Sequence, residues 1–305
     1  MGQNSMKKIY KQSRRVNIDD KSKIIILSDV HRGDGSFSDA LIGNRNIYFG
    51  ALVYYYKKGY TLIEAGDGDE LWKNKSFLDI AYNYNGIFKI LNKFNVNKRL
   101  YMLYGNHDYA KSNKEFITKE ISKINCIDKH IGKEFVKFAK NVEFMEGLVL
   151  NYTKLDKDIF ITHGNQLDPM NYELCKISQF LVRHVWRVLA GVAGFKEPTS
   201  PANNYKKGGL VDEKLEQWAK KHKKMIICGH THRSRFPDTD EVPYFNDGCC
   251  VQPSSISCLE IEEGKISLVK WSVYVREDAV LYIDRSVIGG PKPLACYLMK
   301  TTKEI

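Results

Sequence analysis

Five short apolar runs in this 305-residue chain each stop at a polar cluster, and all five clusters draw on Asp, Asn or His. Lys23–Leu27 leads into Asp29-Val30-His31. Tyr60–Ala65 leads into Gly66-Asp67-Gly68-Asp69-Glu70. Leu100–Leu103 leads into Gly105-Asn106-His107-Asp108. Asp158–Ile161 leads into His163-Gly164, and Met225–Cys228 into Gly229-His230-Thr231-His232. The runs are short and rich in β-branched residues, as buried strands are. Open α/β sheets place ligands at the C-terminal ends of their strands, so a fold that aligned these ends would gather the clusters. Three carboxylates following Ala65 repel one another unless something positive sits among them. An acidic turn alone reads equally well as a solvated surface, and it is the fivefold recurrence that favours a site. The gathered O and N donors suffice for two divalent transition ions, and a carboxylate such as Asp67 can bridge them with one oxygen to each.

Within the clusters, spacing adds detail. Asp29 and His31 are two apart and share one face of an extended strand end, so one cation can take both. His230 and His232 have the same spacing and can reach two different cations. Asn106 offers a neutral amide oxygen, Gly105 permits a tight turn, and His107 is the nearest candidate proton donor. Arg32, in the Gly-rich loop that follows His31, either meets a phosphate oxygen or is simply solvated.

Between these strands the pattern alternates with helices over Ala40–Lys57 and Phe77–Phe94. From Val142 onward short runs joined by turns predict hairpins, with further strands over Tyr244–Gly248, Ser257–Glu262 and Lys265–Trp271. Gly289–Pro293 reads as a loop. Some sixty residues separate His163 from the next site strand, too many for a plain connection. Their centre, residues 177–195, predicts a helix with Gln179, Arg183 and Arg187 on one stripe at i, i+4 spacing. It is either an ordinary core helix with one wet edge, or a lid over the site with Arg183 and Arg187 as substrate contacts, or an interfacial helix touching lipid.

The chain carries a net charge of +11 and ordinary apolar content of 43%, which excludes disorder and favours anionic partners. Its basic runs also read as solvated faces. No apolar run is suited to spanning a bilayer, and the N-terminus lacks the apolar core of a secretory signal. Seven scattered cysteines without a CxxC pair predict a reduced, cytoplasmic protein. The expected organisation is an N-terminal tail or edge element over 1–22, one domain over 23–273 with a helical insertion at 165–207, and a C-terminal extension over 274–305.

The ordered set Asp29-x-His31, Gly66-Asp67-x-x-Glu70, Gly105-Asn106-His107-Asp108, His163-Gly164 and Gly229-His230-x-His232 resembles the calcineurin-like metallophosphoesterase family. The resemblance implies an α/β fold, a four-layer α/β/β/α sandwich of two mixed sheets, here with a helical lid. It implies one cation on Asp29, His31, Asp67 and His232 and a second on Asp67, Asn106, His163 and His230. It makes His107 the general acid, with Asp108 behind it. Two divalent ions are implied, Mn²⁺ foremost, with Fe or Zn²⁺ also suited to the N/O donor set. The expected activity is hydrolysis of a phosphomonoester, phosphodiester or pyrophosphate bond in a phosphorylated small molecule.

Gly-Asp-x-x-Glu-x-Trp at 66–72, with the insertion, is similar to the UDP-2,3-diacylglucosamine pyrophosphohydrolase branch. That likeness implies a lipid-linked substrate and peripheral contact with the inner membrane surface, although His107 stands where that branch usually has Arg. Two further alternatives remain: a nuclease, suggested by the charge but less favoured because no aromatic platform is interleaved with the basic runs, and a non-catalytic adaptor of the same fold.

Overall fold

The computed structural model describes residues 2–36, 38–74, 76–124, 131–182 and 205–299. In chain order its elements are α1 (Gly2–Gln12), β1 (Arg14–Ile18), β2 (Ile24–Leu27), α2 (Arg45–Lys57), β3 (Thr61–Ala65), α3 (Phe77–Asn83), α4 (Asn85–Val96), β4 (Leu100–Leu103), α5 (Lys114–Ile124), α6 (Ile131–Asn141) and β5 (Phe144–Met145). Then follow β6 (Gly147–Tyr152), β7 (Lys157–Thr162), α7 (Cys175–Leu181), α8 (Tyr205–His222), β8 (Met225–Cys228), β9 (Tyr244–Asn246), β10 (Ser255–Glu262), β11 (Lys265–Val275), β12 (Leu281–Pro293) and α9 (Leu294–Leu298).

The strands form two mixed sheets, ordered β1-β6-β7-β8-β9 and β12-β11-β10-β2-β3-β4-β5. Side chains alternate across each strand, and in the central strands β2, β3 and β8 both faces are covered, which is why these read as largely apolar runs. In β2, Ile24 and Ile26 point between the sheets while Ile25 and Leu27 point under the outer helices. In β8, Met225 and Ile227 join the inter-sheet core while Ile226 and Cys228 meet α8 and α1. The result is helix, sheet, sheet, helix: α2–α6 pack outside the longer sheet, and α1 and α8 outside the shorter one. The short helix α9 closes the inter-sheet core with Leu294, Tyr297 and Leu298.

Strands β2, β3 and β4 run parallel in one sheet, and β7, β8 and β9 run parallel in the other. All five polar clusters therefore emerge where these parallel strands end. Backbone bonds stitch the ends together, from Asp29 N to Gly66 O (3.1 Å), His31 N to Asp67 O (3.0 Å) and Gly229 N to His163 O (2.9 Å).

Several expectations are corrected. The single helix over Phe77–Phe94 is two helices that meet at Tyr84, whose backbone is not helical (φ −107°, ψ 27°). The Tyr84 hydroxyl is spent on buried Asp39 (2.9 Å). Gly289–Pro293 is the end of strand β12, held against β11 across register shifts near Leu268. Helices α5 and α6 went unread, although both are amphipathic and bury Ile117, Phe135 and Phe138. The polar N-terminal stretch holds helix α1, anchored by Met6 and Ile9, and edge strand β1, parallel to β6. Of the 177–195 helix only α7 and Val182 are described, so its continuation with Arg183 and Arg187 lies outside the described residues.

Arg32 is also corrected: it does not face a phosphate. It is fully buried, with Nη1 and Nη2 on Glu64 (2.7 and 2.6 Å) and Nε on Asp69 (2.7 Å). Glu64 is an inward-facing carboxylate of β3, and Lys111 reaches the other side of Asp69 at 2.5 Å. The loop arginine is thus the counter-ion of two buried acids. Removing one partner of such a network strands the rest. Arg32→Met is expected to cost about 3–5 kcal/mol of stability, read as a lowered thermal midpoint. An unchanged midpoint would show that the network contributes nothing to stability.

Candidate metal centre

Asp29, His31, Asp67, His230 and His232 all hold positive φ, between 48° and 67°. L-residues rarely adopt this left-handed conformation, and such strain collects at functional sites where the surroundings enforce it. It turns each side chain sharply off its strand end and back over the gap between the sheets. Glycines make room for the convergence. A Cβ on Gly105 would lie 2.3 Å from Asp67 Oδ1 and 2.5 Å from His163 Cδ2. A Cβ on Gly229 would lie 1.9 Å from Ser28 Oγ.

The donors fall into two groups that share Asp67. In the first, His31 Nε2 and His232 Nε2 face each other at 3.2 Å. Asp29 Oδ1 lies 2.9 Å from His232 Nε2 and 3.7 Å from His31 Nε2. Asp67 Oδ2 is 4.0 Å from His31 Nε2. In the second group, the same Asp67 Oδ2 is 3.0 Å from His163 Nε2, and His230 completes a cluster whose donors lie within 4.8 Å of one another. Asn106 is buried beside His107, the two carried on the turn after β4.

The outer contacts decide which atom of each side chain is left for a cation. Asp29 Oδ2 accepts from Ser28 Oγ and from His230 N (2.8 Å), leaving Oδ1. His163 Nδ1 donates to Ala65 O (3.1 Å), which fixes its tautomer with the lone pair on Nε2. His230 Nε2 faces Asp168 Oδ2 (3.3 Å), leaving Nδ1. Asp67 Oδ1 accepts the His107 N–H (2.8 Å). Oδ1 is thus engaged by the backbone, and Oδ2 is the Asp67 oxygen that faces both groups.

The residues present fit a dinuclear centre. Asp29 Oδ1, Asn106 Oδ1 and His163 Nε2 are buried and make no hydrogen bond, a costly state for polar atoms unless a ligand satisfies them. Asp29 Oδ1 and His163 Nε2 lie within 3.0 Å of polar neighbours yet outside hydrogen-bonding angles. Lone pairs aimed at a common point behave in this way. Two imidazole nitrogens on one ion at about 2.1 Å each also stand about 3–3.4 Å apart, which matches His31 and His232.

His107 sits at the rim. Its ring stacks on Trp72, with centroids 4.3 Å apart and planes at 23°. Its Nδ1 lies 2.9 and 3.0 Å from the Glu70 carboxylate oxygens, leaving Nε2 outward. Asp108 does not stand behind it as expected. Asp108 instead accepts from Gly105 N (2.7 Å), Gly68 N (3.1 Å) and Lys111 Nζ (2.6 Å), so it braces the two loops that carry Asn106 and Asp67. The carboxylate behind His107 is Glu70, which the sequence motif contains but to which no role had been given. Asp168 was missed altogether. It follows His163 by five residues, is buried, and is held by Asn171 Nδ2 (2.7 Å) and Lys207 (3.1 Å). The only signal for it in the sequence is an acid in the turn after His163-Gly164.

Electrostatics gives the metal-free centre a pH dependence. Burial alone would lower the His31 pKa, but Asp29, Glu70 and Asp67 raise it to about 9. Burial likewise opposes, and Asp67 and Asp29 outweigh it, at His163, which also rises to about 9. For a raised pKa the stabilising contribution is complete below the ordinary 6.5 and is lost as pH climbs through 9. A cation must displace those protons. Divalent-ion affinity is therefore expected to climb as pH approaches about 9 and then level off. Calorimetry in buffers of different ionisation enthalpy would read this as proton release that fades above pH 9. Release independent of pH would refute it.

A model of the calcineurin-like phosphoesterase family matches residues 22–234. The chain belongs to this family. Among solved structures, Chaetomium thermophilum Vps29 is similar at 11% identity and a TM-score of 0.34, covering 89% of this chain and 99% of that one. The same protein complexed with the cyclic peptide RT-D3 gives 10% identity and a TM-score of 0.31, covering 90% and 98%. Likenesses this distant carry no argument about this chain. No curated protein matches it, and none of these comparisons supports the diacylglucosamine branch. No described helix is long and apolar enough to cross a membrane.

Proposed function

We propose that this calcineurin-like phosphoesterase is a dimetal hydrolase of phosphoric esters or anhydrides. The observation that carries the reading is the set of buried, unbonded donor atoms on Asp29, Asn106 and His163, together with an Asp67 carboxylate oxygen that faces both His31 and His163. Divalent cations held there would supply Lewis acidity to a water and to the phosphate oxygens. Mn²⁺, Fe and Zn²⁺ all suit the donors.

The chain's own residues do the rest. Asp29, Asp67 and the histidines fix where the phosphate can lie, because their outer contacts leave one donor atom each. His107 holds Nε2 toward the open side of the centre, with Trp72 and Glu70 preventing the ring from turning. From there it gives a proton to the departing oxygen. A non-catalytic adaptor has no use for strained, unsatisfied donors, which cost stability without return.

The test is hydrolysis by the Mn²⁺-loaded protein of p-nitrophenyl phosphate, bis-p-nitrophenyl phosphate and a nucleotide-sugar diphosphate. Turnover of any one supports the reading and sorts monoesterase from diesterase from pyrophosphatase. Inertness toward all three, with both cations bound, favours the adaptor. A lipid-linked substrate is a second reading, favoured by Leu174, Ile177 and Phe180, which stand 43–62% exposed on and beside α7. The start of this helix touches the Asn106 carbonyl through the Cys175 thiol (3.8 Å).

A further inference from the structure

Positive charge is dense on both helical layers of the fold, and on the α1–α8 side it meets the fewest acids. Residues 2–18 hold five Lys or Arg and no Asp or Glu, and residues 205–224 hold seven lysines against three acids, in a chain whose net charge is +11. The two segments are far apart in sequence, but the fold sets them side by side on the outer face of the shorter sheet. Met6 and Ile9 of α1 share a core with Val211, Leu215, Trp218 and Ala219 of α8. Trp218 Nε1 donates to Gln3 O (3.4 Å), and Lys221 Nζ to Gln3 Oε1 (3.3 Å). Packing turns the apolar side of each helix inward and leaves its lysines outward. Lys7, Lys8, Lys11, Lys220 and Lys223 are all exposed, and none makes an ion pair with a described residue. Two of the three acids on α8 are already neutralised, Asp212 by Arg233 and Glu216 by Arg235.

We propose that the α1–α8 layer is a docking surface for an anionic lipid bilayer. A like-charged array of this kind repels itself and is relieved by a surface of opposite sign. Two helices lying side by side on a sheet present a broad face rather than a cleft, and the partner that matches it is itself extended. Exposed apolar groups border the charge: Leu210 on α8 is 57% exposed, and Ile177 and Phe180 on α7 are 55% and 62% exposed. Helix α7 is tied to the start of α8 through the turn after His163, since Lys207 holds Asp168 and Ser178 Oγ donates to Met170 O. Lysines with apolar groups among them suit a headgroup layer. A nucleic-acid platform would instead need a series of exposed rings for stacking; among the described side chains of these two helices Trp218 is buried and Tyr10 packs edge-on against Phe160, and Phe180 of α7 is a lone exposed ring beside them. The inference stands apart from the hydrolytic reading, because none of the lysines that carry it belongs to the metal centre.

Sedimentation of the full chain with phosphatidylcholine vesicles, with and without phosphatidylglycerol, tests this at low and high salt. Binding is expected only to the anionic vesicles and should weaken as salt screens the charges. Each basic group near such a surface contributes roughly fivefold in affinity. The Lys7→Glu/Lys8→Glu/Lys11→Glu variant should therefore lose on the order of 100-fold or more, while its Lys→Arg counterpart keeps binding. Reversal of Lys89 and Lys93, on α4 in the opposite helical layer, should change little. Thermal melting and hydrolysis of a small soluble phosphodiester should be unchanged in every variant. Equal binding to neutral vesicles, wild-type binding by the α1 variant, or capture of duplex DNA without any capture of anionic vesicles would each overturn the proposal.

Discussion

Asp67→Asn is expected to release both cations, because one oxygen of this carboxylate faces both donor groups. Oδ2 lies 3.0 Å from His163 Nε2 and 4.0 Å from His31 Nε2, while Oδ1 is already committed to the His107 N–H. An asparagine has two ways to sit, and both fail. With its amide nitrogen in place of Oδ2 it points hydrogens at the cations. With its amide nitrogen in place of Oδ1 it sets a donor against the His107 N–H and offers a neutral oxygen where a charge was shared. The backbone is not the cause, since asparagine tolerates the φ of 51° at this position better than most residues. Loss of an outer partner costs metal sites about 10–100-fold, and the shared ligand should cost more than that. Asp29→Asn makes the contrast. Its Oδ2 is held by Ser28 and His230, its Oδ1 lies nearer the first group (2.9 Å from His232 Nε2) than the second (4.0 Å from His163 Nε2), and it should weaken mainly one cation. Metal analysis of the two purified variants reads the difference, and full two-metal occupancy in Asp67→Asn would sink the bridge.

His107→Ala should keep both cations and lose activity in proportion to how badly the leaving group needs a proton. The side chain belongs to neither group built on Asp67, its own cluster being that with His31 and Glu70, and its Nε2 is the ring nitrogen that Glu70 does not hold. Loss of a positioned acid costs about 10²–10⁴ in rate. That loss should appear in full with alkyl phosphodiesters and shrink with p-nitrophenyl esters, whose leaving group departs as an anion. A uniform loss across leaving groups, or loss of metal, would make His107 a phosphate-positioning group or a ligand. The structure also reassigns the supporting variant. Glu70→Gln should reproduce the leaving-group dependence in milder form, because Glu70 holds Nδ1. Asp108→Asn should not, because Asp108 braces Gly105, Gly68 and Lys111. Its effect should appear in stability and metal retention.

Local chemistry made much of this protein legible from sequence. Strands buried on both faces have to be apolar throughout, so Ile24–Leu27, Leu100–Leu103 and Met225–Cys228 could be delimited to within a residue. Each ended in residues that no core would accept unpaired, and recurrence made a site of them. The sequence also marked Asp67 as a carboxylate able to serve two cations, and the resemblance to the family put it in both ligand sets.

What the sequence left open was decided by partners distant in the chain. Arg32 looked like a phosphate contact because it follows His31 in a Gly-rich loop. Whether such an arginine faces solvent or a buried acid depends on Glu64, thirty-two positions on, in the next strand. The resemblance set Asp108 behind His107, yet here the Asp108 carboxylate turns to Gly105, Gly68 and Lys111, and the imidazole meets Glu70 from a different strand end. Asp168 has no pattern of its own and acquires a role only when β7 and β8 lie parallel and His230 arrives beside it. The basic layer follows the same rule: α1 and α8 each read as a solvated run, and only their shared core beneath Met6 and Trp218 makes them one surface. Sequence fixes which chemical groups a strand end carries, because composition and alternation are local. Which atom of each group remains free is a property of the packed structure, because it depends on what the fold brings against the other atoms.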